Sequence, residues 1–282
     1  MILVTGAAGK TGRAVVKALA GKGASVRALV RRTEHVDALK ALGAAKVSAG
    51  SFEDRGALLL ATAGAQAIYH ICPNVSANEL AFARAVAEAA KEQNVERFVY
   101  HSVLHPQIEA MPHHWQKLRV EELLLAAGFK LTILQPAAYM QNILGAWGGI
   151  VADGVFRVPY PVATRLSLVD LDDVAEAAAR VLTTNGHVGA TYELVGTPPL
   201  SQNEVAAALG AVLRKSVRVE VETIDAWQAR VGAAGMGEHE QTTLAAMFRY
   251  YAEYALIGNT NTLRWLLGRA PTELASFISQ NR

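Results

Sequence analysis

Cysteine is almost absent: Cys72 is the only one in 282 residues, which excludes a disulfide framework and points to a reducing compartment. The expected location is cytoplasmic, because the chain starts at once with a buried-type strand, Ile2-Leu3-Val4, and not with a charged leader and an apolar stretch. Long apolar runs are missing as well. Lys, Arg, Glu or Gln interrupts every candidate before the roughly 20 residues that a bilayer span requires, so no membrane insertion is expected. Charge of one sign is not in excess: 27 Lys and Arg against 25 Asp and Glu leave a formal +2. That field is too weak for unaided nucleic-acid binding, and no direct nucleic-acid partner is expected. Internal repeats, low-complexity tracts and long linkers are lacking too, which argues for packed bodies over freely moving modules. What is present is a chain that is 51% apolar, long enough for one large α/β unit with or without a smaller lobe.

Short β-type runs alternate with longer stretches of helical periodicity, the pattern of a parallel sheet covered by helices on both faces. Strands are read at 1–5, 25–30, 46–49, 67–71, 97–101, 131–135 and 192–195. Helices are read from near Lys10, Thr33, Glu53, Ser76 and His113, and over 171–182. Gly43, Gly64 and Gly128 fall where a left-handed residue would end a helix. The expected fold class is α/β, a Rossmann-type doubly wound parallel sheet with a smaller, mainly helical C-terminal lobe. The expected division is 1–195 and 196–282, with segments after about residue 139 projecting toward the lobe.

The most informative motif is Val4-Thr5-Gly6-Ala7-Ala8-Gly9-Lys10-Thr11-Gly12, set between the first strand and the first helix. Gly6 would turn sharply off the strand, Gly9 would let the backbone approach a pyrophosphate, and Gly12 would allow close helix packing. The phosphates would then meet free N–H groups at a positive helix end. The spacing is GxxGxxG and not GxGxxG, and it excludes a GxxxxGK[ST] phosphate loop. At the end of the second strand, Arg31 and Arg32 stand where an acid would hydrogen-bond a ribose 2′-hydroxyl, whereas arginine pairs with a 2′-phosphate. NADP(H) is therefore the expected cofactor. Glu34 is near enough to draw one arginine away, which keeps NAD(H) as an alternative.

With these residues on view, the sequence resembles the NmrA-like atypical short-chain dehydrogenase/reductase family, which includes NAD(P)-binding quinone oxidoreductases. The likeness runs through the glycine motif, Val26 to Arg32, Lys117 with Val120-Glu121-Glu122, Leu134 to Asn142, Val169 to Ala175 and Leu267 to Thr272. It implies that Phe52 lies near the adenine, that Cys72, Pro73 and Asn74 line the cofactor, and that Gln135 and Pro136 lie beside the nicotinamide. It also implies a place for Ser102 as the family's serine and for Lys117 as the lysine that follows a tyrosine by four residues. Here the tyrosine position is His113. An ammonium nearby disfavours imidazolium, so His113 is a doubtful general acid. Lys117 is expected on the surface or on the cofactor side.

Two functions fit this reading. One is an NADPH-dependent oxidoreductase acting on a quinone, carbonyl or conjugated small molecule. The other is a non-catalytic NADP(H) sensor that binds a protein partner, suggested by the missing tyrosine. Tyr139 and Met140 are candidate substrate contacts, with Trp147 and the stripe Met247, Phe248, Tyr250, Tyr251 and Tyr254 as candidate apolar walls for an aromatic or quinone-like ligand. His101, His105, His113 and His114 cluster in sequence without cysteine or an HExxH pattern; no metal is expected, and they are placed on a loop or at a cleft mouth. Asp170, Asp172 and Asp173 read as a helix cap. A homodimer is admitted.

Overall fold

The computed structural model describes residues 1–282. Strands β1 (Ile2–Val4), β2 (Val26–Val30), β3 (Lys46–Ala49), β4 (Ala67–His70), β5 (Arg97–His101) and β6 (Lys130–Pro136) join an edge strand, Thr191–Leu194, in one seven-stranded sheet. Its order is edge strand, β6, β5, β4, β1, β2, β3. The pairs among β1 to β6 are parallel. The edge strand is parallel as well, because the bonds Gly189 N–H to Leu131 O, Ile133 N–H to Ala190 O and Ala137 N–H to Leu194 O advance together along both chains. Every residue of β1 and β4 is buried, as a strand covered on both faces requires. The order reverses beside β1, and a ligand crevice in such sheets lies outside the carboxyl ends of the strands at that switch point.

The connecting helices are α1 (Lys10–Gly21), α2 (Val36–Ala41), α3 (Arg55–Thr62), α4 (Glu79–Glu92) and α5 (Pro112–Ala126). A short 3₁₀ turn, Thr33–His35, precedes α2. Gly43, Gly64 and Gly128 follow α2, α3 and α5 with φ of +98°, +68° and +78°, the left-handed stops that the sequence implied. Leu58, Ala83, Val86, Val120 and Leu124 pack with Leu3, Ile68, Phe98 and Ile133 into a single hydrophobic core.

The chain separates into two compact units. The first comprises 1–107, 114–135 and 174–192, and the second 108–113, 136–173 and 193–282. The division is not one cut in the sequence. Segment 136–173 groups with residues beyond 193 because its short strands pair with them: Val155–Val158 runs parallel to Arg218–Val221, and Arg165–Leu166 antiparallel to Leu200–Ser201. These two-residue and four-residue strands are too short to show a clear period of two in the sequence. Besides a helix at Trp147–Asp153, five helices belong to the second unit, at Gln202–Leu213, Ile224–Ala233, Glu238–Tyr254, Asn261–Leu267 and Leu274–Gln280. The first of them starts with a full capping box between Ser201 and Glu204.

Candidate functional site

The glycine loop leaves β1 and enters α1. Gly6 has φ of +57°, and a Cβ there would lie 2.7 Å from the Ile71 carbonyl oxygen; at Gly12 it would lie 2.4 Å from the Gly6 oxygen and 2.6 Å from Ala7 Cα. Both must be glycine for the fold itself. Gly9 differs: it is exposed, and a Cβ would meet only the Gly6 oxygen, at 3.4 Å. Gly9 is also the N-cap of α1 and offers no capping side chain, so the first-turn N–H groups have no acceptor from the helix or its cap. Arg13 Nε donates to the Ala8 carbonyl at 2.9 Å and braces the loop. Lys10 is exposed, while Ala8 and Thr11 are partly buried. An open face over Gly9 beside unpaired donors fits a pyrophosphate.

Arg31 and Arg32 follow β2 directly and are exposed. Arg32 is paired with Glu34 at 3.0 Å, so the carboxylate does draw one arginine toward it. Phe52 is partly buried, packing against Phe82 at 5.2 Å and His70 at 5.7 Å between ring centres. After β4, Cys72 is buried while Pro73 and Asn74 are exposed. Burial, then the charge of Glu79, pushes the Cys72 thiol well above its usual range, which makes it a poor nucleophile.

A polar cluster lies under the carboxyl ends of β4, β5 and β6. Lys117 is not on the surface as one expectation had it: it is buried, and Nζ donates to Glu79 Oε1 at 2.8 Å and to the His101 carbonyl at 3.2 Å. Glu79 opens α4, where the helix dipole favours a carboxylate. Tyr100 Oη donates to the same Glu79 oxygen at 3.0 Å, and its ring lies 5.3 Å from Lys117 Nζ. Burial and Glu79 hold the Tyr100 phenol far above its ordinary value, so this tyrosine does not replace the one missing at His113.

Beside that pair, Ser102 Oγ donates to Glu121 Oε1, and Gln135 Nε2 reaches both carboxyl oxygens of Glu121, at 2.9 and 3.2 Å. Glu121 lies four residues after Lys117 on α5, one helical turn along the same face. Burial raises its carboxyl above the usual range, against the lowering effect of Ser102, Gln135 and Lys117. Pro136 is buried next to Gln135.

The histidines are not at a surface mouth. His101, His113 and His114 are buried, and only His105 is partly exposed. His101 Nδ1 is bonded to Tyr69 Oη at 2.7 Å, and His114 Nδ1 to the His105 carbonyl at 3.3 Å. His70, which sequence reading passed over, is bonded to Thr5 Oγ1 at 2.9 Å and stacked on Tyr100. Burial first, then Lys117, lowers His70 and His101 to about 3; burial lowers His114 to about 4. The ammonium effect anticipated at His113 thus acts on these three rings. No group of three or more His, Cys, Asp or Glu is placed to hold a metal ion, and no helix is long and apolar enough to cross a membrane.

In the second unit, Tyr139 is partly buried but Met140 is fully buried and has no surface to offer a ligand. Of the candidate wall residues only Tyr251 is buried: Phe248 is partly buried, packing on Trp227 at 4.9 Å and Tyr160 at 5.8 Å, Trp147, Met247 and Tyr250 are partly buried as well, and Tyr254 is exposed. Of the three aspartates, Asp170 accepts from the Asp172 N–H as a cap would. Asp173 does something else, binding Arg269 Nη2 and the Thr272 N–H, each at 2.6 Å. Glu79 and His70 are the residues missed, and Glu121 was named only within the family likeness. The spacing of Lys117 and Glu121 was the only sequence signal for any of them.

A doubly wound sheet with a glycine turn after β1 and an uncapped α1 defines the class of Rossmann-type dinucleotide-binding proteins. Within it, residues 1–279 match the NmrA-like family, and the chain belongs to that family. It is 31% identical to the NAD(P)H azoreductase of Xenophilus azovorans, over 98% of this chain and 96% of that one. The crystal structure of the NADPH-dependent quinone oxidoreductase from Escherichia coli, complexed with NADPH, superposes with a TM-score of 0.88 at 27% identity, covering 100% of this chain and 99% of that one. The triphenylmethane reductase of Citrobacter sp. has the same fold, with a TM-score of 0.88 at 24% identity over the full length of both chains.

Proposed function

We propose that this protein is an NADPH-dependent reductase of small aromatic acceptors in the quinone or azo class. The observation that carries the reading is the loop Gly6 to Gly12, open over Gly9 and uncapped at α1, followed at the end of β2 by exposed arginines. Gly6, Ala8, Gly9, Lys10, Thr11 and Gly12 would hold the pyrophosphate through backbone N–H groups. Arg31 and Arg32 would take the 2′-phosphate, with Phe52, Cys72, Pro73, Asn74, Gln135 and Pro136 along the remaining length of the dinucleotide. When bound, the reduced nicotinamide supplies hydride. The relatives named above, an azoreductase and a quinone oxidoreductase, support an aromatic acceptor. Tyr139 is kept as a proposed contact for the acceptor.

Fluorescence titration with NADPH and NADH, followed by a quinone and an azo dye in the same cuvette, tests the proposal. Tighter binding of NADPH with acceptor-dependent oxidation is the expected result. The cofactor-sensor reading is second, favoured by the ion pair that engages Lys117 with Glu79. Binding without turnover, together with NADPH-dependent capture of a protein partner, would bring it forward.

A further inference from the structure

The second unit carries a cleft of about 280 Å³ lined only by its own residues. The end of the helix Glu238–Tyr254 makes one part of the lining, and segment 161–165 makes another, with Ile257 beside them. That helix stops abruptly. Ala255 has φ of +63° and ψ of −174°, a conformation essentially reserved for glycine, and the chain turns away so that the Leu256 N–H goes to the Arg165 carbonyl. The Ala255 N–H still reaches the Tyr251 carbonyl, but the carbonyls of Ala252, Glu253 and Tyr254 are left without a donor. Such carbonyls at a helix end carry partial negative charge and attract cations, and no basic side chain stands in this last turn.

Two independent features point the same way. Thr164, which also lines the cleft, is 6% exposed. Its N–H donates to the Pro161 carbonyl and its own carbonyl accepts from Gln202 Nε2, each at 2.9 Å, yet its Oγ1 is buried without a partner. A buried hydroxyl in that state is costly and calls for one. Tyr254 joins an aromatic face to a carboxylate: its ring packs against Tyr250 at 4.8 Å, and its hydroxyl is bonded to Glu253. Arg165, the cation in the lining, is engaged by Glu204 at 3.2 Å and by the Pro199 carbonyl at 2.7 Å.

We infer that this cleft binds a small organic ammonium ion with an aromatic body. Its N–H groups would be shared among the three free carbonyls and Thr164 Oγ1, with the Glu253 carboxylate beside them. The body would lie against Tyr254, Pro161 and Ile257. A bare alkali cation would find the same oxygens, but the apolar lining offers it nothing and selects the organic ion. The site lies within the second unit and stands apart from the reductase reading.

The test is calorimetric titration of the full chain with 2-phenylethylammonium, run beside neutral 2-phenylethanol and beside potassium chloride, in a sodium buffer. One ammonium should bind per chain, and the alcohol about 10-fold or more weaker, because it lacks the charge-assisted hydrogen bonds. Glu253→Gln and Tyr254→Leu, both at exposed positions that leave the core intact, should each weaken the ammonium about 2- to 5-fold. Thr164→Val keeps the shape and removes the orphan hydroxyl, so it should raise the thermal midpoint while weakening the ammonium about 10-fold. No saturable binding, equal binding of the alcohol, or unchanged affinity in all three variants would overturn the proposal. Displacement of the ammonium by potassium but not by sodium would overturn it as well, by assigning the oxygens to an inorganic ion.

Discussion

Two parts of the same sheet edge are built on opposite plans. The loop after β1 is made of backbone, with glycines at Gly6 and Gly12 because no Cβ fits, and its donors are left open to solvent. The cluster at the ends of β4 to β6 is made of side chains. There Lys117 pairs with Glu79, and Ser102 and Gln135 donate to Glu121, all of them buried. An open loop can bind an anion without reorganising. A closed cluster holds charges in place, and a substitution within it strands a partner.

The sharpest break in this contrast is Gly12→Val. Its Cβ would lie 2.4 Å from a carbonyl oxygen of the loop, so the variant should fail to fold or lose several kcal/mol by denaturant unfolding, roughly 4 or more. Gly9→Val, by contrast, should fold normally and lose both nucleotides in titration. Unchanged nucleotide binding by folded Gly9→Val would take the loop out of the argument.

Lys117→Met should cost about 3–5 kcal/mol in urea unfolding, because Glu79 is left buried with its charge uncompensated. Adding Glu79→Gln should restore part of that loss; a strictly additive double variant would mean that the pair is not coupled.

The buried histidines make the cluster acid-sensitive. His70 and His101 titrate near 6.5 unfolded but at about 3 folded, so below 6.5 the unfolded chain binds more protons. The stability is fully present above pH 6.5 and is lost as pH falls toward 3, at about 1.4 kcal/mol per pH unit for each ring. Urea midpoints at pH 7 and pH 5 measure the slope, and His101→Asn should reduce it.

The smallest effect belongs to the exposed arginines. Replacing Arg31 and Arg32 together with Ala should weaken NADPH about 10- to 100-fold more than NADH. Glu34→Gln, which frees Arg32 from its partner, should move NADPH affinity slightly the other way. Equal losses for the two nucleotides would refute the 2′-phosphate assignment.

The contrast in plan also governs what could be read in advance. The loop, its flanking strand and helix, and Arg31 and Arg32 are contiguous, so spacing and local propensity suffice to place them. The glycine stops at Gly43, Gly64 and Gly128 were legible for the same reason. Met140 was misplaced as a ligand contact, because an apolar residue at a given period does not announce whether it meets a ligand or the core.

By itself the sequence determined the alternation of strands and helices, the seven strands of the sheet, the family and the glycine turn, since each depends on residues near one another along the chain. Only the tertiary structure decided that Glu79 would neutralise Lys117 across 38 residues, that Ser102 and Gln135 would meet on Glu121, and that Asp173 would bind Thr272 across 99. Buried polar groups must find partners wherever the fold brings them, and sheet order, which no local pattern encodes, determines who is near.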